Sequence, residues 1–433
     1  MGKLEKYSFY KDSGVEWLGE IPEHWNILKS KYFHKNMKIL NTKRACDNVL
    51  SLTLKGVVNN NLDSPEGLVP KDYATYQIFD KDDLVFKLID LENISTSRVG
   101  IVHEKGIMSS AYIRLRIGQT SIPRFAYYYY YSLYINQVYN NIGSGVRSTL
   151  NPTDLLNINY IEPNIDEQLK IVEYLDKKTE QIDNLIIQKE KLIELLKEQK
   201  QIVINNAVTK GLDKNVEFVD SGVEWIGKIP KHWEIKKLKY VVKQIGDIDH
   251  YMPNSVSYGK PYLMTGDIYE KASLIDFENC KQISEKDFSK LSRKIKPMIG
   301  DLIFARYATI GTVCYVDIEK DFLISYSCVT IKPNKGKIIG EYLFYYLKSN
   351  VFSQEVRIYI NSNTQGNVGI DSLYRTRLVV PPRDEQLQIV EYIENQTTKI
   401  DNAIELQQNY ISKLKEYKAS LIDSVVTGKV RVV

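Results

Sequence analysis

Cysteine, histidine and tryptophan are scarce in this 433-residue chain, which has four, five and four of them, and each scarcity closes off a class of protein. Cys46, Cys280, Cys314 and Cys328 stand far apart, with no Cys-x-x-Cys pair and no His at zinc spacing. That excludes a disulfide framework and a structural zinc centre, and leaves small buried thiols as the expectation. No run approaches the roughly 18 apolar residues that a bilayer span needs. Met1-Gly2-Lys3-Leu4-Glu5-Lys6 lacks the apolar core of an export signal, so the chain reads as cytoplasmic, without a membrane role. A Gly-Lys-Ser/Thr phosphate loop is missing, and Gly143-Ser144-Gly145 has neither the helix signature nor the acidic residue of a dinucleotide or S-adenosylmethionine fold. Asn151-Pro152-Thr153-Asp154 only echoes an amino-methylation tetrad. Charge of one sign is not in excess either: 58 Lys+Arg against 54 Asp+Glu leave +4, which permits nucleic-acid binding without establishing it.

What is present is a repeat. Asp12-Ser13-Gly14-Val15-Glu16-Trp17 returns unchanged from position 220, an offset of 208, and Ile21-Pro22-Glu23-His24-Trp25 returns as Ile229-Pro230-Lys231-His232-Trp233. Asp166-Glu167-Gln168-Leu169-Lys170-Ile171-Val172-Glu173-Tyr174 returns from position 384, an offset of 218, with one change. Each half is therefore a common frame around a divergent centre, and self-similarity of this kind fixes architecture more firmly than local propensity. His24 and His232, each beside its Trp pair, have no carboxylate or Cys partners in the pattern of a triad or metal site. They read as a structural corner or a partner-docking edge.

The second repeated block predicts long helices. Ile171, Leu175, Ile182, Leu185, Leu192, Leu196 and Val203 form a heptad-type seam, matched by Ile389, Ile393, Ile400, Ala403, Tyr410, Leu414 and Leu421, with Ile404 and Ile411 thickening the stripe. Neither segment holds Pro or Gly before Gly211 and Gly428. Some forty residues make a rod of about 60 Å, and the natural partner of each narrow seam is the other rod. The centres predict mixed α/β units: strands over Val49–Leu54, Asp83–Phe86, Tyr112–Ile117, Leu302–Ala305 and Ile324–Lys332, and tyrosine-rich helices over Arg124–Val138 and Glu341–Val356. Tyr127 to Tyr131 suit core packing better than a stacking platform, because consecutive helical residues point around the whole circumference.

These motifs resemble, over nearly the whole chain, the specificity subunits of type I restriction-modification systems: the leading D-S-G-V-E-W-[LI]-G-x-I-P-x-H-W and closing D-E-Q-L-x-I-V-E-Y, with Gly259-Lys260-Pro261-Tyr262-Leu263, Gly266-Asp267-Ile268, Gly300-Asp301-Leu302-Ile303-Phe304-Ala305-Arg306 and Thr364-Gln365-Gly366. The first half departs from the pattern, since Asp82-Asp83-Leu84-Val85-Phe86 lacks the glycine and Gly143-Ser144-Gly145-Val146-Arg147 replaces Thr364-Gln365-Gly366. The resemblance implies an α/β fold of two target recognition domains, residues 1–160 and 212–380, separated by two long antiparallel coiled-coil helices, residues 161–211 and 381–433, with an internal pseudo-two-fold repeat. It also implies a non-catalytic subunit that recognises a bipartite, asymmetric double-stranded DNA target. Its partners would be two methyltransferase subunits, carrying S-adenosylmethionine, and translocase-nuclease subunits, using ATP and Mg, with no cofactor in this chain. Two readers on such a spacer reach major grooves roughly one helical turn apart.

Candidate DNA contacts are Lys43, Arg44, Lys55, Arg98, Arg114, Arg116 and Arg147 in the first centre, and Lys260, Arg293, Lys294, Arg306 and Gln365 in the second. Arg suits guanine O6/N7 and Gln suits adenine N6/N7. Arg114 and Arg116 alternate with Ile113, Leu115 and Ile117 and are expected on one strand face, reaching DNA or simply solvated. A stand-alone nuclease or methyltransferase with a coiled-coil arm, and an interaction scaffold without nucleic acid, are the competing classes.

Overall fold

The computed structural model describes residues 5–60, 72–89, 91, 98–142, 149–360 and 366–432. The chain forms two compact units, Met1–Glu190 with Gln408–Val433, and Lys191–Gln407. Their edges fall inside the long helices, so each unit contains a recognition centre together with part of both helices.

In the first unit, four strands, β1 (His34–Met37), β2 (Leu84–Phe86), β3 (Val99–Ile101) and β4 (Ile113–Ile117), form an antiparallel sheet in the order β1-β4-β2-β3. In the second, β5 (Val242–Gly246), β6 (Leu302–Ala305), β7 (Val313–Tyr315) and β8 (Cys328–Pro333) repeat that order as β5-β8-β6-β7. The shared topology was invisible in the divergent letters. β2 and β6, Leu-Val-Phe and Leu-Ile-Phe-Ala, are buried at every position, as strands covered on both faces require. Each centre is bracketed by paired frame strands: Asn26–Lys29 lies antiparallel to Asn159–Glu162, and Glu234–Lys237 to Arg377–Val380.

Over each sheet runs a tyrosine-rich helix, α1 (Pro123–Ile135) in the first unit and α4 (Gly340–Leu347) in the second. Tyr128, Tyr129 and Tyr130 are fully buried, and their hydroxyls reach Asp176, the Asn159 carbonyl and Ser30 Oγ; Tyr127 and Tyr131 stack with centroids 5.6 Å apart. The run is core, as the circumference argument required. The predicted helix Glu341–Val356 is broken: Ser349 starts a new helix, its Oγ accepting from Phe352 N–H at 3.2 Å. The predicted strand Ile324–Lys332 is likewise two, Leu323–Ile324 and β8. A short helix, α3 (Glu285–Leu291), belongs to the second centre. Of the cysteines, Cys280, Cys314 and Cys328 are buried, and burial pushes Cys314 and Cys328 up to about 12; Cys46, expected buried, is half-exposed.

The long helices are α2 (Ile165–Lys210) and α5 (Arg383–Val426). In the first unit, Ile171, Leu175, Ile182 and Ile186 of α2 share a core with Leu421, Ile422, Val425 and Val426 of α5. In the second, Ile204, Ala207 and Val208 share one with Ile389 and Ile393. In each unit the early turns of one helix meet the late turns of the other, the antiparallel sense. Ion pairs follow the repeat: Lys418 Nζ lies 2.7 Å from Asp183 in the first unit, and Lys200 Nζ lies 2.8 Å from Asp401 in the second.

The expected α2 seam needs correcting past Ile182. Leu185 and Leu192 are 44% and 38% exposed, whereas Ile186 and Ile193 are buried. Val203 is half-buried and its neighbour Ile204 buried; Leu196 is half-buried. The cause is buried Thr179: from Ile171 the buried face steps 4, 4 and 3 residues to Ile182, nearer 3.67 per turn than 3.5, and so moves on by one position. On α5, Ile389, Ile393, Ile400 and Leu421 are buried, Ala403, Ile404, Ile411 and Leu414 are half-buried, and Tyr410 is exposed. Among the described residues, no helix is long and apolar enough to cross a membrane.

Candidate nucleic-acid interface

The repeated letters are contacts that fasten each centre to a long helix. In the first unit Glu167 of α2 accepts from the Tyr7 hydroxyl at 2.7 Å and lies 3.0 Å from His24 Nε2. In the second, Glu385 of α5 lies 2.7 Å from His232 Nε2 and accepts from Trp233 Nε1 at 2.9 Å. The paired histidines thus build a structural corner. The next residue secures the tyrosine helix. Neither α1 nor α4 has a side-chain cap of its own, and the first N–H groups of a helix need acceptors from elsewhere. Buried Gln168 accepts from Ile122 N–H at 2.8 Å, and buried Gln386 from Ile339 N–H at 2.8 Å. Each glutamine also donates to a proline carbonyl, Pro163 at 2.8 Å or Pro381 at 2.9 Å. Sequence reasoning had these residues in hand and assigned them no role; their exact repetition was the signal.

Several candidate DNA contacts prove inaccessible. Arg114 is 0% exposed: Nε donates to Asp83 at 2.5 Å, one terminal nitrogen to the Ile78 carbonyl at 2.6 Å and the other to Asp80 at 2.6 Å. It was expected on an open strand face, but the turn before β2 folds two carboxylates over that face. Arg116 shares the face and is partly exposed, with Nε 3.2 Å from Asp83 and an ion pair to Asp80. The second unit repeats the arrangement, with Lys332 paired to Asp301 at the matching strand positions, which marks Arg116 as a strand-locking residue. Partial burial pulls the Asp80 carboxyl upward, but hydrogen bonds and charge from Arg114 and Arg116 prevail and hold it below the usual carboxylate range. Arg98 is buried, and among its contacts is a hydrogen bond to the Ile89 carbonyl at 3.3 Å. Arg306 is buried, donating to Asp247 at 2.5 Å and to the Tyr326 carbonyl at 3.2 Å.

The accessible candidates occupy loops and turns. Lys43 and Arg44 lie exposed in the loop after β1, with Arg44 at φ +47° and 3.2 Å from Asp72. Lys55 sits at the exposed turn of the hairpin Leu50–Thr53 and Gly56–Asn59. In the second unit Arg293 and Lys294 are exposed just past α3, and Lys260 is half-buried, 3.5 Å from Asp321. Arg147 and Gln365 lie outside the described residues. Loop-borne cations of this kind position a protein on phosphates, while amide and aromatic neighbours read base edges.

The fold, the duplicated frame and the sequence together define a class. The type I restriction modification DNA specificity domain matches the chain twice, over residues 32–203 and 230–416, and the chain belongs to that family. The chain is 25% identical to the Methanocaldococcus jannaschii type I restriction enzyme MjaVIII specificity subunit, over 98% of its own length and 97% of that protein's. It is 23% identical to the Escherichia coli EcoKI specificity subunit, over 69% and 63%. Among solved structures, a chain from a study of type I R-M complex assembly and conformational transition shares the fold at a TM-score of 0.68 and 14% identity, covering 94% of this chain and 98% of that one. The HsdS subunit of Thermoanaerobacter tengcongensis matches at 0.50 and 15% identity, over 97% and 100%.

Proposed function

We propose that this chain is the non-catalytic DNA-reading subunit of a cytoplasmic type I restriction-modification complex. In this reading each centre recognises one part of an interrupted, asymmetric target in double-stranded DNA, and the paired long helices set the unread gap. The observation that carries it is the contrast within the duplication. The Glu–His corner, the Gln cap and the Lys–Asp helix pairs recur side chain for side chain, whereas the accessible basic loops differ between the centres. A repeated frame offers two equivalent docking surfaces, which fits two copies of one methyltransferase partner. Two different reading surfaces fit two different half-sites. S-adenosylmethionine is assigned to those methyltransferase subunits, and ATP and Mg to translocase-nuclease subunits. The role of the chain itself is to hold base-reading loops against a duplex whose phosphates supply much of the affinity.

Exchange of residues 31–160 for the corresponding centre of a relative, followed by mapping of methylated sites in cells carrying the chimaera and the partner subunits, tests this. The expected outcome is a new sequence in one half of the target and an unchanged other half. A change in both halves, or in neither, overturns it.

A further inference from the structure

We propose that the loop 247–258 of the second unit, with the basic edge of α3, is the element through which that centre reads duplex DNA, and that Asp247 is the positioning residue joining the two. The inference rests on the DNA-reading function above and locates it.

The loop leaves β5 at Asp247, which is buried. Its carboxylate gathers three groups from three segments: Arg306 from the end of β6 at 2.5 Å, Lys294 from beyond α3 at 3.0 Å and His250 within the loop at 3.3 Å. The His250 ring stacks on Tyr326 with centroids 4.9 Å apart. The far end is pinned as firmly. Val256 N–H donates to the Gln282 carbonyl at 3.0 Å, and a Cβ at position 259 would stand 2.0 Å from the Ile283 oxygen, so only glycine permits the return.

Between these anchors Ile248 and Pro253 are buried, and the other side chains turn outward. Tyr251, Met252, Asn254 and Ser255 are exposed, and Tyr258 is 94% exposed. A segment held by Ile248 in the core and fixed at both ends, yet spending its aromatic and amide side chains on solvent, is built for a partner. Lys286, Lys290 and Arg293 recur at i, i+4 and i+7 along the exposed side of α3 and its following turn, and Lys290 Nζ lies 5.2 Å over the Tyr251 ring. Carboxylates near the row are Asp247, held by its cations, Asp249, 3.9 Å from Lys294 Nζ, and, in the first turn of α3, exposed Glu285 and half-buried Asp287, the latter accepting from Ser284 Oγ at 2.8 Å. A cationic row beside protruding amide and aromatic groups fits a polyanion whose base edges are also exposed: phosphates for the row, a groove for the loop. The loop at the same topological place in the first centre, after β1, carries Lys43 and Arg44.

The test uses the full chain bound to its methyltransferase partner, selecting from a randomised duplex pool at low and high salt. Asn254→Ala and Tyr258→Ala, both at exposed positions, are expected to relax one half of the selected motif roughly tenfold and leave the other half intact. Lys290→Ala with Arg293→Ala is expected to weaken binding to all sequences alike and to reduce the salt slope by about two. Asp247→Asn is expected to relax the same half as Asn254→Ala. A lower melting temperature with an unaltered motif would show Asp247 to be merely structural. If the wild-type complex selects a two-part motif and all these variants select the same motif with the same salt slope, the loop is not the reader and the proposed function stands. If the wild-type complex selects no motif, the proposed function itself fails.

Discussion

At the scale of single residues, the two centres solve one problem with different letters. The turn before β2 is Asp80-Lys81-Asp82-Asp83 and the turn before β6 is Met298-Ile299-Gly300-Asp301. Asp82 adopts φ +70° where Gly300 has φ +88°, and Asp83 and Asp301 each accept from the backbone three residues earlier, at 2.8 and 2.9 Å. The missing glycine in the first half is therefore a substitution that a short polar side chain tolerates in the left-handed region. Space is available at Gly300, the nearest atoms to an added Cβ being Lys335 at 3.7 Å, so only the backbone penalises a change. Gly300→Val is expected to cost about 1–2 kcal/mol more than Gly300→Asp in urea unfolding. Acidification probes the same turn. Because the Asp80 carboxyl is held below its ordinary value of 3.8, the stabilisation it provides is present above that value and lost as pH falls through the lower folded one. Thermal unfolding of wild type and Asp80→Asn should therefore differ near neutral pH and converge in acid.

At the scale of elements, periodicity made the long helices legible because nothing in them interrupts a pattern of forty residues. It misplaced part of one seam because Leu185 and Ile186 are adjacent and equally apolar, and polar Thr179, which shifts the register, carries no hydrophobic signal. The consequence is measurable. Ile186→Asp and Ile193→Asp should each cost several kcal/mol in urea unfolding, as buried unpaired charges do, while Leu185→Asp and Leu192→Asp should stay within about 0.5 kcal/mol of wild type. The reverse ranking would restore the strict heptad. Within the centres, short strands such as β2 and β4 were recognisable by composition, but which strand neighbours which is a tertiary matter and appeared only in the sheets. The basic candidates fared unevenly for the same reason. Alternation put Arg114 and Arg116 on one face, and nothing local revealed that Asp80 and Asp83 fold over it.

At the scale of the whole molecule, the long helices are the elements that pass from one compact unit to the other, at Glu190–Lys191 and Gln407–Gln408. Inserting one heptad at each of these points lengthens each helix by about 10 Å, equivalent to about three base pairs of duplex at 3.4 Å each. Under the proposed function, the methylation map should then show the same two half-sites with a gap wider by about three base pairs. An unchanged gap would mean that helix length does not set it.

The glutamine caps reach further than the stability they add. What Gln168 and Gln386 recognise is an amide hydrogen at the start of a helix and a carbonyl in their own chain, groups that almost every amino acid supplies alike. These caps, unlike the Tyr128 hydroxyl on Asp176, are therefore blind to the identity of the insert they hold. Any foreign centre that begins a helix at the right point meets the same caps, so natural variation can rewrite what is read while this part of the mount stays the same.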